Sequence, residues 1–295
     1  MLPSPASPRI LLGLGLGFVG VVIFGATLPM TRLAVAALDP WFVTFGRAAG
    51  AGLLAAVVLA VLRRPLPAAR DLPLYGIVMA CLITGFPAFT ALAMVTVPAG
   101  HGGVVLGILP LGTAIAATLV SGERPSLGFW LVGLVGAALV GAFTLQQAGG
   151  LHLSAGDVFL VLAVMSAALG YTVSAMLTRR RPGWEVVSWM LALSLPVTLP
   201  AAWWFAPAGP AAVPAASWWG FVYVTLFSQY IGFFFWNAGL ALGGIARVGQ
   251  VQLLQTFVTL AIAAAVNGET VGPETIAFAL AVALVVLAGS RMRAG

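Results

Sequence analysis

Apolar residues run along the chain in long stretches that are interrupted, at nearly regular intervals, by short breaks rich in proline, glycine and charge. A membrane-spanning helix needs about 20 mainly apolar residues, and each stretch reaches about that length. The breaks have turn chemistry, as in the segments from Arg63 to Pro67 and from Arg179 to Gly183. We therefore predict ten spans, at residues 10–31, 40–62, 73–95, 102–121, 128–146, 156–177, 185–206, 217–241, 247–267 and 272–290.

Composition supports a membrane protein. Of the 295 residues, 61% are apolar and 7% are charged, whereas a soluble domain carries about 25% charged residues. No connector is long enough to fold by itself, so we expect one membrane domain over residues 1–295, of all-α class. The apolar run after Arg9 is interpreted as the first span and not as a signal peptide, because no water-soluble region follows it.

The basic residues indicate orientation. All 13 are arginines, and they are dispersed, which is not typical of a nucleic-acid-binding surface. An N-terminus inside the cell places 11 of the 13 on the cytoplasmic side, namely Arg9, Arg63, Arg64, Arg70, Arg124, Arg179, Arg180, Arg181, Arg247, Arg291 and Arg293. The positive-inside rule then predicts that both termini are cytoplasmic. The use of arginine without lysine, together with abundant alanine and glycine, is typical of a GC-rich bacterium. We therefore expect the protein to lie in a bacterial inner membrane.

The two halves of the chain resemble each other. Residues 103–123 and 249–269 share seven identities in 21 positions, including the pairs Gly122-Glu123 and Gly268-Glu269. Five spans per half is an odd number, so we expect the second five-helix repeat (156–290) to be inverted relative to the first (10–146). Inverted repeats place a substrate site near the membrane midplane and allow alternating access.

Several short motifs together resemble a known family. They are Phe24-Gly25-Ala26 with Arg32, Asp39-Pro40, Arg47-Ala48, Gly122-Glu123-Arg124-Pro125-Ser126, Gly156-Asp157, Ser166-Ala167-Ala168, Tyr171 and the second Gly268-Glu269. The pattern resembles the ten-helix, EamA-type branch of the drug/metabolite transporter superfamily, and it also resembles bacterial amino-acid exporters of the YddG type. The resemblance implies a secondary transporter of two inverted repeats. The tryptophan of a common family Trp-Gly pair is replaced by Phe24 and, in the second half, by Leu169.

Ionisable residues within a membrane are costly and by default functional. The seven carboxylates are expected at span ends, hydrated or capping helices: Asp39, Asp71, Glu123, Asp157, Glu185, Glu269 and Glu274. Without a carboxylate in mid-membrane, a proton-coupled exporter of cationic drugs is disfavoured. Arg47 is the one deep cation, and it either has a structural role, bound by carbonyls or by Asp39, or contacts substrate.

Uncharged polar and aromatic residues are therefore the candidates for a pocket. Gln252, Gln255 and Thr259 share one helix face, which either joins helices or lines a pocket. Gln229 and Tyr230 lie near the middle of the eighth span, beside aromatic residues that either pack or form a pocket wall. The candidate substrate-binding residues are Thr27, Phe86, Tyr171, Gln229, Tyr230, Gln252 and Gln255.

Prolines inside spans free backbone carbonyls and permit kinks. Pro29 with Gly25, and Pro87 with Gly85 and Phe86, are candidate hinges, whereas Pro196 is expected to be inert. His101 is either a gate that titrates near neutral pH or a boundary residue. The candidate hinge or gate residues are Gly25, Pro29, Pro87 and His101.

These residues predict a transporter that needs no cofactor or metal. Cys81 is the only cysteine, and two histidines cannot form a zinc site alone. An intramembrane enzyme would need a serine–histidine site or an aspartate pair at depth, which the pattern lacks. We expect passage of small neutral or zwitterionic metabolites, with aromatic or hydrophobic amino acids first. The alternative is a multidrug exporter of lipophilic compounds. The pattern leaves the oligomeric state open and is compatible with a monomer.

Overall fold

Ten helices, one for each predicted span, form the bundle in the computed structural model, which describes residues 8–121, 127–147, 154–243, 248 and 251–292. In these ranges the bounds are α1 Pro8–Val35, α2 Pro40–Val61, α3 Ala69–Thr96, α4 Ala99–Leu106 with Leu109–Ser121, α5 Leu127–Gln147, α6 Ala155–Thr178, α7 Gly183–Trp204, α8 Ala215–Tyr223 with Val224–Ile231 and Gly232–Gly243, α9 Gln252–Leu254 with Gln255–Asn267, and α10 Pro273–Met292. Six of the ten are, by length and composition, long and apolar enough to cross a membrane. The all-helical membrane fold class is confirmed.

Helix ends follow the breaks in the sequence because those breaks contain capping residues. Asp39 precedes α2, and its Oδ1 accepts a hydrogen bond from the backbone N–H of Trp41 at 2.8 Å. Ser154 and Asp157 form a reciprocal capping box at the start of α6. Gly268 ends α9 with φ +67°, a left-handed conformation that glycine adopts without strain.

The same irregularities recur in both halves. The backbone of α3 forms a π-helical segment at Met79–Gly85, and that of α8 forms one at Val224–Ile231, whose first residue lies 145 positions further on. The turn at residues 107–108, which divides α4, corresponds to the 3₁₀ segment Gln252–Leu254 at the start of α9. Since π-segments are rare and often mark functional sites, their matching positions indicate two copies of one architecture.

The packing of helices has the same symmetry. Helix α2 packs along α7, α4 contacts α9, and α5 contacts α10. The α1–α8 contact has a counterpart in α3–α6, and the α1–α9 contact has one in α4–α6. Exchanging each helix for the one five places along the chain therefore reproduces these contacts.

Glycines allow the closest of these contacts. Gly13 and Gly17 on α1 face Gly239 and Gly243 on α8, each pair with GxxxG spacing. A Cβ atom on Gly239 would lie 2.6 Å from the backbone nitrogen of Gly17, closer than two unbonded atoms can approach. The GxxxG spacing on these helices thus serves contacts within the chain.

The prolines differ in their effect. Pro29 follows the interruption of α1 at Ala26, and Pro87 follows the π-segment of α3. Helix α7, in contrast, continues through Pro196 from Gly183 to Trp204. The predicted turn at residues 122–126 and the predicted inner residue Arg247 lie outside the described residues.

Candidate functional site

A cavity of about 910 Å³ lies between the two repeats. Each of the ten helices except α5 contributes a described residue to its wall. The cavity reaches Thr178 and Gly183, which flank the loop at residues 179–182. We call this side of the bundle, which also carries Arg63, Arg64 and Arg70, the arginine-rich end. Its volume is within the usual range of small-molecule sites, about 300–1,000 Å³.

Two backbone irregularities meet deep in this cavity. Thr27 follows the interruption of α1, and Ser228 lies in the π-segment of α8. The hydroxyl oxygens of these two residues are 2.7 Å apart. Arg47 on α2 donates from Nη2 to Ser228 Oγ at 3.1 Å. All three residues are buried and border the cavity. An irregular turn thus brings a buried cation and two hydroxyls together.

Amide and hydroxyl groups continue the wall along α8 and α9. Gln229, Gln252, Gln255 and Thr259 all border the cavity, so the polar face of α9 points inward. Thr259 Oγ1 also donates to the carbonyl oxygen of Gly25 at 2.8 Å. This face therefore both lines the cavity and joins α9 to the interruption of α1.

Aromatic rings form much of the remaining wall. Phe24 and Phe233 pack edge to face with their centroids 5.0 Å apart, and Phe86, Tyr171 and Trp236 also border the cavity. Such walls accommodate an apolar side chain, while the amides and hydroxyls can orient a polar group.

The structure brings together six of the seven residues predicted to bind substrate. These are Thr27, Phe86, Tyr171, Gln229, Gln252 and Gln255, all on the cavity wall. Tyr230 does not reach the cavity. Its side chain is directed toward α7, where its hydroxyl forms a 2.8 Å hydrogen bond with Ser188.

The predicted hinge and gate residues lie outside the cavity wall. The carbonyl of Gly25, which Pro29 leaves without a helical donor, accepts from Thr259, and the carbonyl of Pro29 accepts from Asn267 at 3.2 Å. Both carbonyls of α1 therefore bind α9. Pro87 is at the second position of the regular helix that follows the π-segment. His101 lies in the first turn of α4, away from the arginine-rich end.

Glu269 joins three helices at the end of the bundle opposite the arginine-rich end. Because Gly268 reverses the chain, the Glu269 carboxylate accepts hydrogen bonds from the backbone N–H groups of Ala99, at 2.7 Å, and Gly100, at 2.8 Å. Arg32 on α1 pairs with the same carboxylate, 3.4 Å from its Nε, and donates to the carbonyl of Val97. A carboxylate at a helix N-terminus is well placed electrostatically.

His101 and Asp157 form a second contact at this opposite end. The Nε2 of His101 lies 2.7 Å from Asp157 Oδ1, and both side chains are 7% exposed. The imidazole also stacks on Phe143, with the ring centroids 5.1 Å apart. The two contacts tie α1, α4, α6 and α9 together at this end, beyond Gly103 and Thr259, the wall residues of α4 and α9 nearest to it.

The charged side chains depart in part from the sequence-based expectations. Asp71 and Glu185 were expected to be hydrated or to cap helices, but each is buried and bound to a basic side chain, Arg180 and Arg181, respectively. Asp157 caps α6 as expected and, being buried, also binds His101. The pocket was expected to have uncharged polar and aromatic walls, with contact between Arg47 and substrate left open, and Arg47 borders it. Asp39 does not bind Arg47, because its carboxylate caps α2.

Some wall residues were missed, although the sequence held a signal for two of them. Ser174 and Thr178 border the cavity with Tyr171, and their spacing of three and seven residues places them on the face of α6 that Tyr171 occupies. Ser228 gave no comparable signal, since its position depends on the π-turn. In the described part of the chain, no three His, Cys, Asp or Glu side chains are grouped as metal ligands.

Comparison with known proteins supports a transporter. The sequence pattern of the EamA-like transporter family matches residues 11–145 and again residues 154–289. The "Uncharacterized transporter YdeK" of Bacillus subtilis (strain 168) is 44% identical over 275 residues, which are 93% of this chain and 96% of that protein.

Two further similarities are more distant. A "Probable terminal-alkyne amino-acid exporter" of Streptantibioticus cattleyicolor is 29% identical over 252 residues, 81% of each chain. A solved crystal structure superimposes with a TM-score of 0.61 over 96% of this chain and 98% of that one, at 20% identity. The similarity to the solved structure concerns the fold alone.

Proposed function

The chain belongs to the EamA-like transporter family, and from this premise we propose that it carries small neutral or zwitterionic metabolites across the bacterial inner membrane. Amino acids with aromatic or hydrophobic side chains are the first candidates. The observation that carries this proposal is the cavity between the repeats, which combines amide, hydroxyl and aromatic groups.

The proposed mechanism is alternating access. The cavity reaches the arginine-rich end, which the positive-inside rule assigns to the cytoplasm together with both termini. Substrate enters there, and the halves then rock so that the contacts of Glu269 and Asp157 separate while the arginine-rich end closes. The direction of this cycle in the cell is export or downhill passage.

The choice of amino acids rests on the wall chemistry. The aromatic rings of Phe24, Phe86 and Phe233 suit an apolar side chain, and the amides of Gln229 and Gln255 suit a polar head group. The similarity to the Streptantibioticus protein, named a probable terminal-alkyne amino-acid exporter, supports the same substrate class. The wall's described residues contain no carboxylate that would attract a cationic drug.

Counterflow into liposomes tests this proposal. Purified protein is reconstituted with unlabelled amino acids inside, and uptake of labelled phenylalanine, threonine and a quaternary-ammonium dye is followed. We expect protein-dependent accumulation of the amino acids, lost in Gln255→Leu and Tyr171→Ala. Dye transport without amino-acid counterflow would instead support a multidrug exporter, and absence of amino-acid flux would contradict the proposal.

Tyr75→Phe is a matched control for Tyr171→Ala, because Tyr75 is a buried tyrosine that does not line the cavity. We expect its counterflow to remain within about twofold of the wild type, since a change away from the site acts mainly on stability.

A further inference from the structure

Arg47 has few partners for a buried cation. Its side chain is 2% exposed, and its guanidinium makes one described hydrogen bond, to Ser228. Its Nε and Nη1 atoms are buried without a hydrogen-bond partner. The ion pairs among the described residues involve Arg32, His101, Arg180 and Arg181, but not Arg47.

This arrangement costs stability. A guanidinium taken out of water loses hydration that a single hydroxyl does not replace. An apolar or amide side chain of similar length would fill the position at lower cost, because buried charges can often be replaced without loss of stability. A buried charge that the fold does not satisfy is therefore best explained by a ligand that does.

The surroundings define the ligand's chemistry. Arg47 borders the cavity, and two hydroxyls, those of Thr27 and Ser228, lie beside it. Tyr171 borders the same cavity. A planar guanidinium with hydroxyl donors matches a carboxylate, which accepts two parallel N–H bonds. The single positive charge of Arg47 balances the single negative charge of a carboxylate, whereas a phosphate group would need further basic side chains to balance its charge.

We infer that Arg47 binds the carboxylate of the transported molecule, with Ser228 and Thr27 completing this subsite. The inference rests on the proposed function and narrows its substrates to those with a carboxylate. Because Nε and Nη1 are shielded in this state, the carboxylate reaches them only when the side chain or α2 shifts. Binding of the carboxylate is thus coupled to a change in shape of the cavity.

Thermal unfolding of the purified protein tests the inference without measuring transport. The probes are L-phenylalanine, 3-phenylpropionate, which keeps the carboxylate and lacks the amine, and phenethylamine, which keeps the amine and lacks the carboxylate. We expect the first two to raise the Tm of the wild type, because a ligand that binds only the folded state stabilises it. Equal stabilisation by phenethylamine would overturn the inference.

Variants of Arg47 separate a ligand-binding role from a structural one. We expect Arg47→Gln to melt, without ligand, at or above the wild-type temperature, and to bind both carboxylates at least about 30-fold more weakly. Arg47→Lys should recover part of this binding, and Arg70→Gln, which removes an exposed arginine, should bind as the wild type does. An Arg47→Gln protein that fails to fold, or that retains its affinity, would overturn the inference.

The proposed transport function and the inferred carboxylate subsite at Arg47 can be disproved independently of each other. Carboxylate binding that depends on Arg47 in a protein without counterflow would contradict the proposed transport and leave this inference standing. Undiminished phenylalanine counterflow by Arg47→Gln would support transport and overturn the inference.

Discussion

The two π-helical segments have similar backbones and different side chains. The segment of α3, Met79–Gly85, buries Cys81, Leu82 and Ile83, whereas that of α8, Val224–Ile231, buries Ser228, Gln229 and Tyr230. The first packs against α6, and the second brings hydroxyl and amide groups to Arg47 and the cavity. The irregular turn is therefore a property of the repeated fold, and the chemistry depends on side chains present in one copy only.

Because the two π-segments differ in side chains, we expect changes in one to affect mainly transport and changes in the other to affect mainly stability. Changes to the polar segment of α8 should reduce flux, while changes of similar size to the apolar segment of α3, or to the glycine contacts, should act through folding.

The largest effect is expected for Ser228→Ala. This change removes the only described hydrogen-bond partner of Arg47 and one hydroxyl of the proposed carboxylate subsite, and a hydrogen bond to a charged group contributes about 1.5–3 kcal/mol. We predict a fall in phenylalanine counterflow of about 30-fold. Ile83→Val, at the matching position of α3, should lower stability by about 0.5–1.5 kcal/mol and leave flux per folded molecule unchanged. Equal loss of flux in both variants would show that the segments do not differ in role.

Gly239→Ala should mainly reduce stability. Its new methyl group would overlap the backbone of Gly17, and overpacking of this kind costs about 1–3 kcal/mol. Thermal unfolding in detergent measures the change. Gly15→Ala is the control on α1, since a methyl group there meets nothing within 4 Å. Unchanged melting of Gly239→Ala would be inconsistent with the close α1–α8 contact.

A smaller effect is expected for Glu269→Gln at the end opposite the arginines. The neutral amide weakens the bonds to Ala99, Gly100 and Arg32, and the difference between charge-assisted and neutral hydrogen bonds is about 1 kcal/mol. We predict a correspondingly lower Tm. Glu274→Gln, whose carboxylate is exposed and binds Gln146, should change stability by less than about 0.5 kcal/mol. If the two variants melt alike, Glu269 does not hold this end together.

Much of the fold could be predicted from the sequence because hydropathy and turn residues are local signals. The predicted span 40–62 is helix Pro40–Val61, and the predicted span 156–177 is helix Ala155–Thr178. The π-segments were not predicted, because one extra residue per turn leaves no mark in a continuous apolar run. Their alignment 145 positions apart becomes visible only in the backbone.

The site was predictable in part. Helical spacing alone places Gln252, Gln255 and Thr259 on one face, and that face borders the cavity. Spacing could not show that Tyr230 would bond to Ser188, nor that Arg47 would bond to Ser228. These outcomes depend on which helices are neighbours, and a single sequence carries no information on that.

The most direct test of the central claim is chemical blockage of the cavity. Ser174 lies on the cavity wall near the arginine-rich end, so Ser174→Cys in a Cys81→Ser background places a single thiol there. Val158→Cys, on an exposed face of the same helix, is the control. Both proteins are treated with a bulky maleimide in detergent, with and without phenylalanine, and then reconstituted for counterflow.

We predict that modification at position 174 abolishes phenylalanine counterflow, that phenylalanine slows this modification, and that modification at position 158 leaves flux unchanged. Fully modified Ser174→Cys protein that still transports phenylalanine at the unmodified rate would contradict the claim that substrate passes through this cavity.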